Sequence, residues 1–363
     1  SNTVRAVSGA GGVVNLNLGA ISRAGGLINF VLPGGGAITT TNADGVLGGW
    51  ATINGTDYAK VVDGGIIAFD NSDYVNKDDA GDWVTGDIVS DSANAADTPF
   101  EGTVSSNLQL GGLRYTAAAD SVVTIGAGNT LGIDGTIIVA PSTLATNQRI
   151  TGGSITGGAG GGTFGIQQNG TGTFTIDSTI VDNGGTGFVK SGSGTVRLNG
   201  ANSYSGGTTL SGGRLEVASL ANGGVSSSIG ASSASSSNLV LESGTLAYVG
   251  GVDVVSDRGF TLVNGGSLRA IEVGAGRSVE FAGQVTSPDD AGLTKVGSGT
   301  LVLSNDANDY VGVTTISGGT LEVDALADGG VASGIGASSS ASSNLVIQTG
   351  GMLRYTGNTA TTD

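Results

Sequence analysis

Two stretches of this chain carry nearly the same text, and each consists of short pieces in which apolar and polar residues alternate. Residues 188–217 read FVKSGSGTVRLNGANSYSGGTTLSGGRLEV, and residues 293–323 read LTKVGSGTLVLSNDANDYVGVTTISGGTLEV. Alternation with a period of two residues, in pieces of about four residues separated by Gly, is typical of short, half-buried strands. The pattern favours strands throughout and predicts almost no helix.

Strands this short predict a repetitive fold. Two of them cannot bury an apolar face alone, so the same unit has to stack above and below, as in solenoids with rungs of about 20 residues. Thr300, Thr320 and Glu322 are expected to face outward. The residues expected to face the interior are Leu301, Leu303, Ile316, Leu321 and Val323 in one copy, and Val196, Leu198, Leu210, Leu215 and Val217 in the other.

The two stretches resemble the passenger-associated transport repeat of autotransporter proteins, which Gram-negative bacteria secrete. The resemblance rests on the Gly-Ser-Gly-Thr start, on an internal Tyr, and on the Gly-Gly-x-Leu-x-Val ending. The copies depart from the usual pattern at Val196, Arg214, Val311 and Val313, and these changes are conservative for a strand. Residues 46–60, VLGGWATINGTDYAK, resemble a segment often found upstream in large passengers.

The resemblance implies an all-β chain folded as a right-handed parallel β-helix, or β-solenoid, and exported to the cell surface. It also implies a partner outside this chain, a membrane β-barrel at the far C-terminus of a longer protein, and an export signal upstream. We therefore interpret the chain as an internal fragment of a longer passenger.

The chain divides into three predicted regions. Residues 1–45 alternate and are expected to form N-terminal β-helix coils. Residues 46–103 are irregular and rich in aromatic and acidic residues, and they form either less regular coils or an insertion. Residues 104–363 are regular, with a repeat of about 105 residues that covers 188–292 fully and 293–363 in part.

Two Ser-rich pieces, residues 218–237 and 324–343, interrupt the regular text. They are low in complexity, but the second contains Leu326, Val331 and Ile335 as apolar anchors. Each piece is therefore predicted to be a long loop that is pinned to the coil, and not a free linker.

The composition excludes several classes of protein. The chain has 69 Gly and only four Pro in 363 residues, without a Gly-X-Y period, which excludes collagen. It contains no Cys and no His, so disulfides, thiol catalysis and the commonest general base are all excluded. The net charge of −16 repels phosphates, so neither nucleic acid nor an anionic membrane is expected as a partner.

Three motifs that could indicate ligand or substrate chemistry are weak. The Gly-rich residues 157–162 fit a phosphate-binding loop, but no helix-forming text comes after them. Asn76, Asp78, Gly81 and Asp87 are spaced loosely like a calcium loop without its final Glu, and a solvated acidic loop is the simpler interpretation. The adjacent residues Asp289 and Asp290 could imitate the pair of catalytic carboxylates of a glycosidase. They follow Pro288, however, in a predicted turn.

The sequence predicts a non-catalytic, exported structural or adhesive element of the cell surface, as a passenger stalk or a fibre segment. No cofactor and no metal ion is expected. The expected partners are its own neighbouring repeats, host or environmental surface glycans, and other copies joined end to end, because open rungs carry unpaired backbone groups. The alternative is a carbohydrate-active β-helix enzyme that acts on polysaccharides.

The aromatic residues of the irregular region are the candidate surface contact, namely Trp50, Tyr58, Tyr74 and Trp83. Exposed aromatic rings anchor interfaces and sugars. The same rings could instead fill the interior of wider coils, and the sequence leaves both interpretations open.

Overall fold

A computed structural model describes residues 2–24, 26–91, 98–141, 145–158, 160–266, 268–359 and 362. The chain forms two compact units, Ser1–Gly194 and Thr195–Asp363. In the described residues both units consist of strands, with short 3-10 turns at Ala80–Asp82, Ser236–Asn238 and Ser342–Asn344. No helix in this part of the chain is long and apolar enough to cross a membrane. The predicted division at residues 45/46 and 103/104 falls inside the first unit and stays a prediction.

The first unit contains nineteen described strands. They are β1 Asn2–Arg5, β2 Val14–Asn17, β3 Ile28–Val31, β4 Gly36–Thr39, β5 Gly45–Val46, β6 Ala51–Ile53, β7 Asp57–Val62, β8 Gly65–Ala68, β9 Ile88–Ser90, β10 Thr103–Val104, β11 Leu108–Leu110, β12 Gly112–Tyr115, β13 Ser121–Ile133, β14 Thr136–Val139, β15 Gln148–Gly157, β16 Phe164–Gln168, β17 Thr173–Ile176, β18 Thr179–Ile180 and β19 Phe188–Ser191.

Parallel ladders dominate the first unit. Strands β9, β12, β14, β16 and β19 form one ladder. Strands β10 and β11 both pair with β13, and the ladder continues through β15 to β17 and β18. Near the N-terminus β1 pairs with β3 and β3 with β6, while β2 pairs with β4. This stacking of strands that are distant in sequence is the pattern of a β-solenoid.

Strands β5 to β8 depart from that pattern because they form antiparallel pairs, β5 and β6 with β7, β7 with β8, and β8 with β4, although β6 also pairs parallel with β3. The hairpin of β7 and β8 turns at Asp63 and Gly64, which both have positive φ angles of 49° and 75°. A two-residue hairpin with positive φ at both positions is the turn that matches the twist of the strands. Asn54 and Gly55, between β6 and β7, also have positive φ. The antiparallel part lies in the region that the sequence predicts to be irregular.

The second unit contains fourteen strands in its described residues. They are β20 Thr195–Leu198, β21 Thr208–Val217, β22 Leu239–Tyr248, β23 Val254–Ser256, β24 Phe260–Leu262, β25 Arg269–Val273, β26 Ser278–Phe281, β27 Val285–Thr286, β28 Leu293–Val296, β29 Thr300–Leu303, β30 Thr314–Ile316, β31 Gly319–Val323, β32 Leu345–Ile347 and β33 Gly351–Tyr355.

The second unit is parallel throughout its ladders. Strand β22 pairs with β21, β24 and β25, and β25 leads through β28 and β30 to β32. A separate ladder runs β23, β26, β29, β31, β33. The all-β parallel solenoid expected from the sequence is confirmed, but the rung length is more variable than predicted. Thr195 pairs with Arg214, nineteen residues on, whereas Thr320 pairs with Met352, thirty-two residues on.

The predicted interior is confirmed in both copies of the repeat. All ten aliphatic residues expected to be buried are inaccessible to solvent, including Leu303, Ile316 and Leu321. The prediction that Thr300, Thr320 and Glu322 are exposed is wrong, because all three residues are half-buried. Thr320 lies between Thr300 on one rung and Met352 on the next, so the stacked neighbours cover it from both sides.

Each copy also buries a lysine at the same position. Lys190 donates to the carbonyls of Ser191 at 2.9 Å and Gly192 at 2.7 Å. Lys295 donates to Val296 at 2.7 Å, Gly297 at 2.8 Å and Gly318 at 3.1 Å. Burial lowers the pKa of Lys190 to about 7, and it lowers the pKa of Lys295 to about 8, since the carboxylate of Glu272 opposes the shift there.

The Ser-rich loops are pinned to the coil as predicted, and a buried tyrosine makes the attachment. The Tyr310 hydroxyl lies 2.8 Å from Thr314 Oγ1, which donates to the carbonyl of Ile335. Tyr204, Thr208 and Ile229 make the equivalent contacts in the first loop. The prediction that Val331 anchors the second loop is wrong, because its side chain is exposed.

Candidate functional site

Three of the four predicted surface aromatics are buried. Tyr58 and Tyr74 pack with Phe69 in a small core whose ring centroids lie 5.2 to 6.2 Å apart. The Tyr58 hydroxyl accepts from the backbone N–H of Leu113 at 2.7 Å and donates to the carbonyl of Thr136. Burial raises the pKa of Tyr58 and of Tyr74. Their hydroxyls are satisfied inside the protein, so the exposed role expected for them is wrong.

Trp83 belongs to a second internal set of rings. It meets Phe100 edge to face with centroids 5.2 Å apart, Phe100 meets Tyr115 at 4.9 Å, and Tyr115 meets Phe174 at 5.3 Å. The indole N–H of Trp83 donates to the carbonyl of Lys77 at 2.9 Å. Trp83 therefore fills the interior of a wide coil, and its predicted role as a surface contact is wrong.

Trp50 differs from the other three because it is half-buried and lines a groove. The Trp50 side chain packs on the N-terminal core around Phe30 and Ile38. The groove has a volume of about 530 Å³. We call it the Trp50 groove; it is lined by Arg23, Val46, Gly48, Gly49, Trp50, Thr85, Gly86, Ile88, Gln109, Gly111 and Asp134.

Two glycines hold Trp50 in this position. Gly48 has a φ of +113°, and a Cβ there would lie 2.6 Å from the Trp50 indole nitrogen. A Cβ on Gly49 would lie 1.9 Å from the carbonyl oxygen of Gly111. The Gly49 carbonyl accepts from the Thr136 N–H at 3.0 Å, which fixes this backbone against a strand of the solenoid. Only residues without a side chain allow so close an approach of two backbones.

Two polar residues that line the groove, Arg23 and Gln109, contain buried hydrogen-bond donors. Arg23 donates through Nη2 to the carbonyl of Thr163 at 3.3 Å, but its Nε is buried and has no partner among the described residues. The Gln109 Nε2 amide is also buried and has no partner among the described residues. Burial lowers the pKa of Arg23, and the nearby Asp134 carboxylate opposes that shift. Buried donors without partners are uncommon in proteins.

A more polar pocket of about 450 Å³ adjoins the groove and shares Thr85 and Gln109 with it. Its lining includes the amides Asn107 and Asn183 and the carboxylate of Asp182. That carboxylate already accepts from backbone N–H groups of residues 185 and 186. Together the two cavities place one aromatic face beside several amide and hydroxyl groups.

One carboxylate of the predicted glycosidase-like pair and one of the predicted calcium loop accept hydrogen bonds within turns. Asp289 accepts from the N–H groups of Ala291 and Asn264, which makes it part of a turn. Asp87 accepts from Lys77 Nζ at 2.9 Å and from the Val84 N–H at 3.0 Å. No group of three or more His, Cys, Asp or Glu in the described residues is arranged to hold a metal ion.

The Gly-rich residues 157–162 also have a structural setting. Gly157 ends strand β15, and the next element in the described residues is strand β16, not a helix whose N-terminus could hold a phosphate. Ala159 lies outside the described residues.

Stacked parallel rungs, Gly corners and a filled aliphatic interior define the chain as a β-solenoid. The sequence model of the passenger-associated-transport-repeat family matches residues 188–217 and 293–323. A similar curated protein is the adhesin BmaC autotransporter of Brucella suis biovar 1 (strain 1330), which is 60% identical over 366 residues. That match covers 100% of this chain and 11% of the relative. No solved structure matches the chain.

The matched repeats and this relative support an autotransporter passenger domain, as the resemblance of the two repeats predicts. The extracellular, cell-surface location expected from the sequence is confirmed with it.

Proposed function

We propose that this chain is a non-catalytic adhesive element of the cell surface, in which the Trp50 groove is the contact site for a surface glycan. The observation that carries the proposal is a half-buried indole in the same groove as two buried donors, Arg23 Nε and Gln109 Nε2, that have no partner in the described part of the chain. The name of the relative describes an adhesin, which supports adhesion as the role of this segment.

The groove matches the chemistry of a sugar. An indole face packs against the C–H groups of a pyranose ring, while N–H donors bind its hydroxyl or carboxylate oxygens. Val46, Ile88 and Gln109 of the lining lie on strands, whereas Trp50 lies in a turn whose Gly49 carbonyl is held by the Thr136 N–H, so little ordering of the indole is needed on binding. A single groove of this kind binds weakly, and adhesion results when many copies on one cell engage many glycans.

A hydrolytic role finds little support in the same groove. Glycosidases use two carboxyl groups about 5 to 9.5 Å apart. Asp134 is the only acidic residue among those that line the groove. Asp289, the other candidate, is engaged by the backbone of its own turn and of Asn264.

Binding of the purified chain to immobilised glycans tests the proposal. We expect Trp50→Ala and Gln109→Ala each to weaken binding to the preferred glycan about tenfold, as loss of a central aromatic or amide contact does. Val252→Ala, at an exposed position in the second unit, is the matched control and should bind like the parent. Circular dichroism should show the same strand content for all variants.

Two results would overturn the assignment. Glycan binding that survives Trp50→Ala combined with Gln109→Ala would place the contact elsewhere. Release of reducing sugar by the parent chain, lost in Asp134→Asn, would instead support the carbohydrate-active enzyme.

The partners are part of the same proposal. Besides glycans, we include the outer-membrane barrel of the longer protein and further rungs at the open end of the second unit. Strand β33 carries Met352 at the edge of its ladder with an exposed side chain. An edge strand pairs readily with another strand. Analytical ultracentrifugation over a range of concentrations measures whether copies join end to end through this edge.

A further inference from the structure

The antiparallel sheet of strands β5, β7 and β8 has apolar side chains on both of its faces. One face packs on the N-terminal core through Ala59 and Ile66, which are buried. The opposite face carries Val46, Val62 and Ile67, which are exposed to 55%, 43% and 38%. An antiparallel sheet with one solvated face normally carries polar residues on that face, so the outward face of this sheet departs from the usual pattern.

The strand register places these exposed side chains together. Val46 is the Cα partner of Lys60 on one side, and Ile67 is the partner of the same lysine on the other side. Val62 comes two residues after Lys60 on β7, so the two side chains point to the same face. Neighbouring strands are about 4.8 Å apart. Val46, Lys60, Val62 and Ile67 therefore form one continuous patch, which we call the hairpin face.

The hairpin face lies at the end of the N-terminal ladders that is distant from residue 1. Strands β1 and β2 are the outer strands of the ladders β1–β3–β6 and β2–β4. The hairpin is attached at the other end of both ladders, through β6 to β7 and through β4 to β8. A rung stacked on β1 and β2 would extend the sheet away from the hairpin face and leave it open. All residues from 26 to 91, which include the hairpin, are described.

Two carboxylates border the hairpin face at the hairpin turn. Asp63 directly follows Val62 and has a positive φ in that turn. Asp44 directly precedes β5, and the register of β5 with β7 places it opposite Val62. Both carboxylates are exposed. Neither has a hydrogen-bond or ion-pair partner in the described part of the chain, so both are available to a cation.

The single cation of the hairpin face is already neutralised. Lys60 is the only Lys or Arg on strands β5, β7 and β8. Its Nζ lies 2.5 Å from Asp73 Oδ2 and 3.5 Å from Asp70 Oδ2, and the Asp70 side chain is 66% exposed. The apolar patch therefore has an acidic rim on more than one side.

We propose that the hairpin face binds a segment of another protein in which apolar side chains are flanked by Lys or Arg. Exposed apolar surface with a polar rim marks interaction sites, and an acidic rim favours a basic partner, because complementary charge steers association and disfavours wrong partners. A second copy of the chain does not meet this requirement, since it brings the same acidic rim and a net charge of −16.

Fluorescence anisotropy with three labelled peptides tests the proposal. The basic peptide reads Lys-Lys-Val-Thr-Val-Thr-Val-Lys-Lys; the acidic peptide has Glu for each Lys, and the polar peptide has Ser for each Val. We expect the parent chain to bind the basic peptide saturably and to bind the other two at least about tenfold more weakly. The affinity for the basic peptide should fall as salt is raised, because salt screens exposed charges.

Two variants separate the apolar patch from its rim. Val62→Thr combined with Ile67→Thr should weaken binding of the basic peptide about tenfold, because less apolar surface is buried. Thr is also β-branched and suits a strand, and Val122→Thr, at an exposed position of β13, is the matched control that should bind like the parent. Asp44→Asn combined with Asp63→Asn should weaken binding at low salt and leave a smaller dependence on salt. Thermal unfolding and circular dichroism check that each variant folds like the parent.

Three results would overturn the proposal. The first is the absence of saturable binding of the basic peptide. The second is equal binding of the basic and polar peptides, or binding that the two Thr substitutions leave unchanged, because these results would reflect only the net charge of the whole chain. The third is equal binding of the basic and acidic peptides.

The Trp50 groove is tested separately. Val46 lines that groove as well as the hairpin face, so it is left unchanged in all variants. Trp50→Ala should bind the basic peptide like the parent, and a loss of peptide binding in this variant would place the contact in the groove and overturn the proposal. Val62→Thr combined with Ile67→Thr should leave glycan binding unchanged, so the two proposals succeed or fail independently.

Discussion

The buried lysine at the start of the repeat predicts an unusual dependence of stability on pH. Burial lowers the pKa of Lys190 from 10.5 to about 7. Below pH 7 the folded protein holds a buried ammonium, and its desolvation costs stability. Between pH 7 and 10.5 the unfolded chain keeps a proton that the folded chain has released, so the free energy of unfolding rises with pH.

The size of this rise is set by the shift. Each pH unit inside the window changes the free energy of unfolding by at most about 1.4 kcal/mol per group. With a folded pKa of about 7, integration from pH 7 to pH 9 gives a gain of about 2 kcal/mol. The chain has no His and no Cys, so few other groups titrate in this window. Lys295, with a pKa of about 8, contributes a smaller rise that begins at higher pH.

Urea unfolding at pH 7, 8 and 9, measured on the parent and on Lys190→Met, checks the prediction. Met keeps the apolar stem and removes the titrating group, so the rise with pH should fall by about 2 kcal/mol in this variant. The absolute stability also changes, because the carbonyls of Ser191 and Gly192 lose a donor, but that change does not depend on pH. A parent and a variant with parallel pH profiles would refute the reasoning, as would a Lys190 Cε resonance that titrates near pH 10.5.

The remaining predictions concern the interior and the loops. Gly336→Ala should destabilise the second unit by clearly more than Gly330→Ala in thermal unfolding. Both glycines have positive φ, which costs about 1 to 2 kcal/mol for a residue with a Cβ, but only at Gly336 would that Cβ lie 2.4 Å from a backbone oxygen, that of Tyr310; equal losses would contradict the geometry. Leu303→Asp should expose nearby rungs to limited proteolysis, since an unpaired charge in a dry interior is costly, whereas Val311→Asp, at an exposed position, should be cleaved like the parent.

The interior of the repeat could be predicted from sequence because the alternation of residues such as Leu301 and Leu303 allows only one face to be apolar. The antiparallel hairpin was missed, although Asp63-Gly64 between two aliphatic runs is a hairpin signal. The predicted exposure of the aromatic residues was wrong for another reason. Composition cannot tell a ring that fills a wide coil, as Trp83 does, from one that lines a groove, as Trp50 does. That difference depends on which distant rungs stack beside each ring.

A comparison of the two Ser-rich loops shows which features depend on the sequence of the loop itself and which depend on the rung that follows. Val225 and Val331 are exposed to 53% and 54%, so their exposure is a property of the loop itself. Leu220 is buried but its counterpart Leu326 is only half-buried, although the surrounding backbone bonds are the same. What differs is Arg258, which arrives from a later rung to cover the first loop. The backbone of each loop therefore depends on its local sequence, whereas complete burial of the first loop requires the rung that comes after it.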